Sequence, residues 1–176
     1  MIFIVVSDIH GRSDLLSEVL RTHRRADGVL FLGDGIRDIS YAECTEGGRF
    51  FSGVRGNCDF SLFFRGEYDF SEELLLTLSE YNVIMMHGHT LGVKSGIERA
   101  MIYASERGAD VLLFGHTHTP IEKYYPEGTE IDGYRLKKPL WVFNPGSLGC
   151  SADGKHTYGL MQIKNGQLLF SHGEIK

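Results

Sequence analysis

The sequence predicts an α/β fold in which two packed sheets are flanked by helices. Three observations lead there. The chain opens with a strand–helix–strand pattern whose strands are continuously apolar. An amphipathic helix stands between buried strands in the middle. The last part is rich in strand signals with a tight hairpin near the end. Apolar runs without alternation mark strands covered on both faces, and helices are the usual cover.

The elements follow in order. Ile2 to Val6 is a β-branched apolar run and reads as the first strand. Ser13 to Arg25 carries Leu15, Leu16, Val19 and Leu20 at helical spacing, with Ser13 expected as N-cap. Val29 to Leu32 and Arg49 to Val54 read as the second and third strands, and the βαβ opening implies parallel pairing. Leu74 to Leu78 and Val83 to Met86 follow, joined through Ser79-Glu80-Tyr81-Asn82. Ser95 to Arg107 reads as a helix with Ile97, Ala100, Met101 and Ala104 inward, closed by Gly108. Val111 to Phe114 is another buried strand. Ile121 to Tyr125, Leu140 to Phe143, Tyr158 to Ile163 and Gln167 to Ser171 complete the set, with Asn165-Gly166 as a two-residue hairpin turn. Pro126 to Pro139, mixing Gly, Pro and charge, reads as a surface excursion. Phe60, Phe63, Phe64, Tyr68 and Phe70 read as core or subunit contact in preference to a base-stacking platform.

Composition narrows the function classes. A chain of 176 residues suits one domain, 1–176. With 42% hydrophobic and 23% charged residues it is not a disordered chain. The formal net charge of -5 argues against bulk nucleic-acid binding through phosphate contacts. Cys44, Cys58 and Cys150 are odd in number and form no CxxC pair, so neither a disulfide framework nor a cysteine-rich zinc site is indicated. A reducing, cytoplasmic compartment is the expectation. No apolar run approaches the ~20 residues of a membrane helix, and the short apolar start meets Asp8 at once, unlike a signal peptide.

The chemistry sits at the ends of the strands. Ser7-Asp8-Ile9-His10-Gly11 follows the first, Gly33-Asp34-Gly35 the second, and Gly56-Asn57-Cys58-Asp59 the third. His87-Gly88-His89, Gly115-His116-Thr117-His118 and Asn144-Pro145-Gly146-Ser147 follow three later strands. Parallel strands gather their C-terminal ends on one side, where ligands bind. Five of the eight histidines lie in these motifs. Taken singly, an Asp-x-His or Gly-Asp after a strand reads as a cap. As an ordered set, the motifs read as a dimetal site. Carboxylate with imidazole suits manganese, iron, nickel or zinc better than calcium or magnesium. Asp8 and His10, or His116 and His118, reach one site if the strand end stays extended; a turn sends each to a neighbouring metal. Two cations ~3.5–4 Å apart can clamp a phosphoryl group and supply a hydroxide nucleophile at neutral pH.

This ordered series, Asp8-x-His10, Gly33-Asp34, Gly56-Asn57-x-Asp59, His87-Gly88-His89 and Gly115-His116-Thr117-His118, resembles the calcineurin-like metallophosphoesterases. The compact length and the Asn144-Pro145-Gly146-Ser147 ending are similar to its small bacterial and archaeal phosphodiesterase branch. The resemblance implies an αββα sandwich of two mixed sheets. It implies that Asp8, His10 and His118 hold one metal, that Asn57, His87 and His116 hold the other, and that Asp34 bridges both. Asp59 would orient neighbouring groups. Many relatives carry histidine where this chain has Cys58, near the leaving-group oxygen; a thiol is a weak acid and a poor donor. His89 stands between a phosphate contact and a structural role. Asn144, Gly146 and Ser147 are expected to shape the turn beneath the metal loops, Asp38 to act as a local cap, and His23, His156 and His172 to be surface or core histidines.

The expected activity is hydrolysis of phosphodiesters, on a small phosphate ester of nucleotide-like type, with two divalent cations per chain. Manganese is the first expectation and nickel, iron or zinc the alternatives. The rivals are a phosphomonoesterase or protein phosphatase of the same fold, and a non-catalytic scaffold like the retromer subunit that resembles these enzymes. Neither membrane nor nucleic acid is an expected partner; a homo-oligomer is compatible.

Overall fold

The computed structural model describes residues 1–59, 70–151 and 154–175. In chain order the elements are β1 (Ile2–Val6), α1 (Ser13–Thr22), β2 (Gly28–Phe31), α2 (Tyr41–Cys44), β3 (Phe50–Gly53), β4 (Glu73–Leu78), β5 (Tyr81–Met86) and α3 (Glu98–Glu106). They continue as β6 (Val111–Phe114), β7 (Pro120–Tyr125), β8 (Glu130–Ile131), β9 (Tyr134–Arg135), β10 (Leu140–Pro145), β11 (His156–Lys164) and β12 (Gln167–Ile175). One sheet runs β12-β11-β1-β2-β3 and the other β4-β5-β6-β10-β7. In the first, β1, β2 and β3 are parallel while β11 and β12 are antiparallel. In the second, β5, β6 and β10 are parallel while β4 and β7 are antiparallel edges. The six parallel strands are the six that end in the polar motifs.

Strand alternation builds the layers, because successive side chains point to opposite faces. Phe3, Val5, Leu30, Leu32, Val83, Met85, Val111, Leu113 and Phe143 meet in the core between the sheets. Their neighbours Ile4, Val6, Val29 and Phe31 point the other way, onto Leu15, Leu16, Val19 and Leu20 of α1. Ile84, Met86, Leu112, Phe114 and Val142 likewise face Ala100, Met101 and Ala104 of α3. The result is an αββα sandwich, as the motif resemblance implied.

Several local expectations need correction. Ser13 is the first helical residue of α1 and does not cap it; Arg12 occupies the cap position and gives no side-chain cap bond. The helix ends at Thr22, short of Arg25, where the His23 amide closes onto the Val19 carbonyl. α3 begins at Glu98, because Gly96 at φ +155° and the turn before it are not helical. Its other end follows expectation: Gly108 is left-handed, and the Gly108 and Ala109 amides bond to Ser105 and Ala104 carbonyls, the two bonds of a Schellman stop. The Pro126 to Pro139 excursion folds back as the β8–β9 hairpin around Asp132-Gly133, burying Ile131 and Leu136 beside α3. The short α2, capped by the Ser40 hydroxyl, was not expected. Of the aromatic group, Phe70 packs edge-on to Phe31 and Phe51; Phe60, Phe63, Phe64 and Tyr68 lie outside the described residues.

Candidate metal centre

Three of the motifs leave their strands through a backbone that ordinary residues avoid. Asp8, His10, Asp34, His116 and His118 all have positive φ, between +45° and +66°. Such left-handed residues cost ~1–2 kcal/mol each and concentrate where function requires them, with Asp, Asn and His the most tolerant of side-chain-bearing residues. The other three described non-glycine residues of this kind, Ser79, Asp132 and Asn165, all sit in hairpin turns. The turns aim side chains inward that a straight strand would spread apart.

Two groups of donors result. His118 Nε2 lies 3.0 Å from Asp8 Oδ1, His10 Nε2 lies 3.7 Å from it, and the two imidazole nitrogens are 3.5 Å apart. Beside them, His87 Nε2 lies 3.3 Å from Asp34 Oδ2, 3.2 Å from Asn57 Oδ1 and 3.1 Å from His116 Nδ1. His87 Nε2 also comes within 3.9 Å of Asp8 Oδ1, so the groups adjoin. All seven side chains expected as ligands are therefore brought together. Cation ligands ~2.05 Å from a tetrahedral metal stand roughly 3.3 Å from one another, which fits these spacings.

The surroundings fix donor atoms rather than consume them. Asp8 is fully buried. Its Oδ2 accepts from the Ser7 hydroxyl at 2.6 Å and the His116 amide at 3.0 Å, while its Oδ1 has no hydrogen-bond partner. A buried carboxylate oxygen without a partner is costly, and a cation satisfies it. His87 donates from Nδ1 to the Leu32 carbonyl at 2.7 Å, which turns Nε2 and its lone pair into the cluster. Asp59 takes no place in the cluster. It accepts from the amides of Asp34, Gly35, Ile36 and Gly56 at 2.7–3.0 Å and so holds the loop that carries Asp34. Gly56 has no room for a side chain, since a Cβ there would sit 2.1 Å from Asp34 Oδ1.

Charge in the site favours cations. Burial alone would raise Asp8, but the adjacent imidazoles of His10 and His118 and the charge of His87 hold it well below the usual carboxylate range. Asp34 is treated similarly: burial opposes, His87 outweighs it, and the carboxyl falls to about 2. His116 is pushed down to about 4, by burial first and then by His87, so it is neutral and able to ligate. Desolvation and the adjacent Asp34 push the Cys58 thiol up to about 11.

Other expected residues take different places. His89 lies beside the cluster, its ring 5.5 Å from His87 and 6.1 Å from His116, with Nδ1 buried and unpartnered. Cys58 is exposed beside Asp34, and its amide donates to Asp34 Oδ1 at 2.7 Å. Asp38 is no local cap: it accepts from the Gly11 amide at 2.8 Å and ties the first two motif loops together. Asn144 and Ser147 brace the loops as expected. Asn144 donates to the Gly115 carbonyl at 2.9 Å, and the Ser147 hydroxyl donates to the Asp8 carbonyl at 2.9 Å. His172, which carries no motif, holds the Asn144 carbonyl at 2.8 Å; nothing in its local sequence signals this.

A βαβ-built sandwich with a carboxylate–imidazole cluster at the ends of its parallel strands defines a metallophosphoesterase architecture. Comparison with known proteins agrees. Residues 1–166 match the Calcineurin-like phosphoesterase superfamily domain, and the chain belongs to that superfamily. It is 30% identical over 164 residues to the probable metallophosphoesterase YsnB of Bacillus subtilis (strain 168), covering 92% of this chain and 84% of that protein. A crystal structure from Streptococcus pneumoniae TIGR4, a conserved uncharacterized protein and predicted phosphoesterase, is 26% identical with a TM-score of 0.71, covering 97% of this chain and 87% of that one. Vps29 of Chaetomium thermophilum, at 15% identity, shares the fold with a TM-score of 0.74 over 100% of this chain and 92% of that one.

Proposed function

We propose that this chain is a metal-dependent phosphodiesterase in which Asp8, His10 and His118 hold one divalent cation, Asn57, His87 and His116 hold a second, and Asp34 bridges them. The observation that carries the reading is Asp8 Oδ1, a buried, unpartnered carboxylate oxygen faced by the Nε2 atoms of three histidines at 3.0–3.9 Å. Manganese is the preferred metal, with nickel, iron or zinc able to use the same donors. Bound cations of this kind polarise the phosphoryl oxygens and supply a nucleophile at neutral pH.

The residues of the chain do the rest. Ser7, the His116 amide and the Leu32 carbonyl fix which atoms of Asp8 and His87 face the cations. Asp59 holds the Asp34 loop through four amides. The substrate phosphate would enter from a cavity of about 250 Å³ lined by His10, Asp34, Arg37, Asp38, Cys58 and Asp59. Cys58 stands there in the place of a stronger proton donor. This favours esters whose leaving group departs without strong acid assistance, and it supports diesters over alkyl monoesters. A small, nucleotide-like phosphate ester is the proposed substrate class. A scaffold that had abandoned catalysis would have no reason to keep all seven donors, and here they converge.

The test is Asp34→Asn, assayed on bis(p-nitrophenyl) phosphate and p-nitrophenyl phosphate at saturating manganese, with metal counted by elemental analysis. Wild type should retain two cations per chain and prefer the diester. The variant should lose at least ~100-fold in turnover, since a direct ligand should matter more than the ~10–100-fold of its supporting contacts. Wild-type turnover in the variant would end the bridging assignment, and a metal count near zero in the native protein would end the dimetal reading.

A further inference from the structure

Cys58 does more in this site than replace a histidine. Its Sγ, His10 and one oxygen of Asp34 form a third group of donor atoms, all within 4.8 Å of one another. This group overlaps both others, sharing His10 with the Asp8–His118 set and Asp34 with the His87–His116 set. The three side chains line the same open cavity of about 250 Å³, so a cation between them needs no rearrangement of the core. The Cys58 side chain is already held at the cluster. Its amide is fixed to Asp34 Oδ1, and Sγ accepts from Asn57 Nδ2 at 3.3 Å. The buried, unpartnered Asp8 Oδ1, 3.7 Å from His10 Nε2, marks the adjoining His10 end of the cluster as cation-binding.

Donor softness decides which cation uses the third group. Thiolate selects zinc and cadmium over manganese, whereas carboxylate and imidazole serve all of them. We propose that Cys58 is a conditional metal ligand: with a thiophilic cation its sulfur joins His10 and Asp34 in the coordination shell, and with manganese it stays a thiol outside it. The inference rests on the dimetal reading above. In the ligating step the S–H bond breaks and the S–metal bond forms. The proton passes to solvent, one water leaves the cation, and no electron is transferred. The same polypeptide would then hold zinc with one more protein donor than it gives manganese, in place of one water. The cavity used by substrate would be narrowed by the captured sulfur.

The experiment titrates metal-stripped, full-length protein with cadmium and, separately, with manganese. It follows the ultraviolet charge-transfer absorption of a metal–thiolate bond, together with the bound metal count. Wild type should bind both cations, and cadmium should produce the band. Cys58→Ser and Cys58→Ala should bind manganese as wild type does but lose the cadmium band. Their cadmium affinity should fall by at least about tenfold, the scale of losing one supporting contact or more. A band that survives in Cys58→Ser would belong to Cys44 or Cys150 and would overturn the proposal. So would two bound cadmium ions without a band, and that outcome leaves the dimetal reading intact. Failure to bind either cation would sink both readings. A variant that loses manganese as well would show Cys58 to be an unconditional part of the site and would overturn the selectivity claimed here.

Discussion

Asp8 divides its carboxylate between two tasks, one oxygen bonded to Ser7 and the His116 amide, the other turned bare into the cluster. That division depends on how closely backbone packs around the acids. Gly56 shows the tolerance: a methyl there would lie 2.1 Å from Asp34 Oδ1 and 2.6 Å from the Asp34 amide. Gly56→Ala should therefore displace Asp34, lower turnover by about 10–100-fold and reduce bound metal, while far-ultraviolet circular dichroism stays unchanged. Wild-type metal content and turnover in that variant would contradict the packing described. Cys58 supplies a second residue-scale test. Cys58→His should raise turnover of alkyl phosphate esters more than that of nitrophenyl esters, since a positioned acid contributes ~10²–10⁴-fold only where the leaving group needs its proton. The comparison is made at equal metal occupancy. An unchanged ratio of the two substrate classes would show that position 58 does not face the leaving group.

At the scale of elements, the fold was legible because burial on both faces writes itself as unbroken apolar runs. Ile2–Val6 and Val111–Phe114 were readable to the residue. The motifs were legible because strand ends are where polar residues interrupt such runs. What could not be read depends on contacts far apart in sequence. The left-handed turns at Asp8, His10, Asp34, His116 and His118 decide which donors meet, yet no local pattern announces them. His172 supports Asn144 across 28 residues with no motif of its own. Ser13 misled because capping residues also occur inside a first turn. The structure therefore predicts that Ser13→Ala costs less than the ~1 kcal/mol typical of a lost cap in chemical denaturation. A loss of that size would place the cap back at Ser13. Strand alternation gives a sharper contrast at β12. Leu168 is buried between the sheets and Leu169 is 52% exposed, so Leu168→Ala should cost about 2–5 kcal/mol and Leu169→Ala within about 0.5 kcal/mol. Equal costs would mean the register of β12 is wrong.

At the scale of the whole molecule, metal binding and folding are one equilibrium, because the donors come from five separate loops and exist as a site only in the folded chain. In the metal-free protein the titrating groups pull in opposite directions. Asp8 and Asp34 are depressed, so their contribution is present above the ordinary carboxylate range and lost as pH falls through their folded values. His116, lowered to about 4, also costs stability as pH falls from ~6.5 toward that value, since the unfolded chain takes the proton first. His10 and His87 are raised, His10 by the adjacent Asp8 carboxylate and His87 because burial, which lowers it, is outweighed by Asp34 and Asp8. Their contribution is full below ~6.5 and is lost as pH rises through the folded values. These histidine effects fall in different windows, so metal-free protein should lose stability as pH rises above ~6.5 through His10 and His87, and again as pH falls below it through His116 and then the carboxylates. The metal-loaded protein behaves differently, because protons compete with the cation for His10 and His87, and they begin to do so above ~6.5 where those rings already hold a proton. A cation at ~1,000 times its dissociation constant adds about 4 kcal/mol per site at high pH. Calorimetry with saturating manganese and with EDTA, from about pH 8 to about pH 5 across the ordinary histidine range, should show a wide gap in melting temperature at the alkaline end. The gap should narrow from above the ordinary histidine value downward and be nearly closed at the acid end. A gap of constant width across that range would mean that His10 and His87 do not hold the cation.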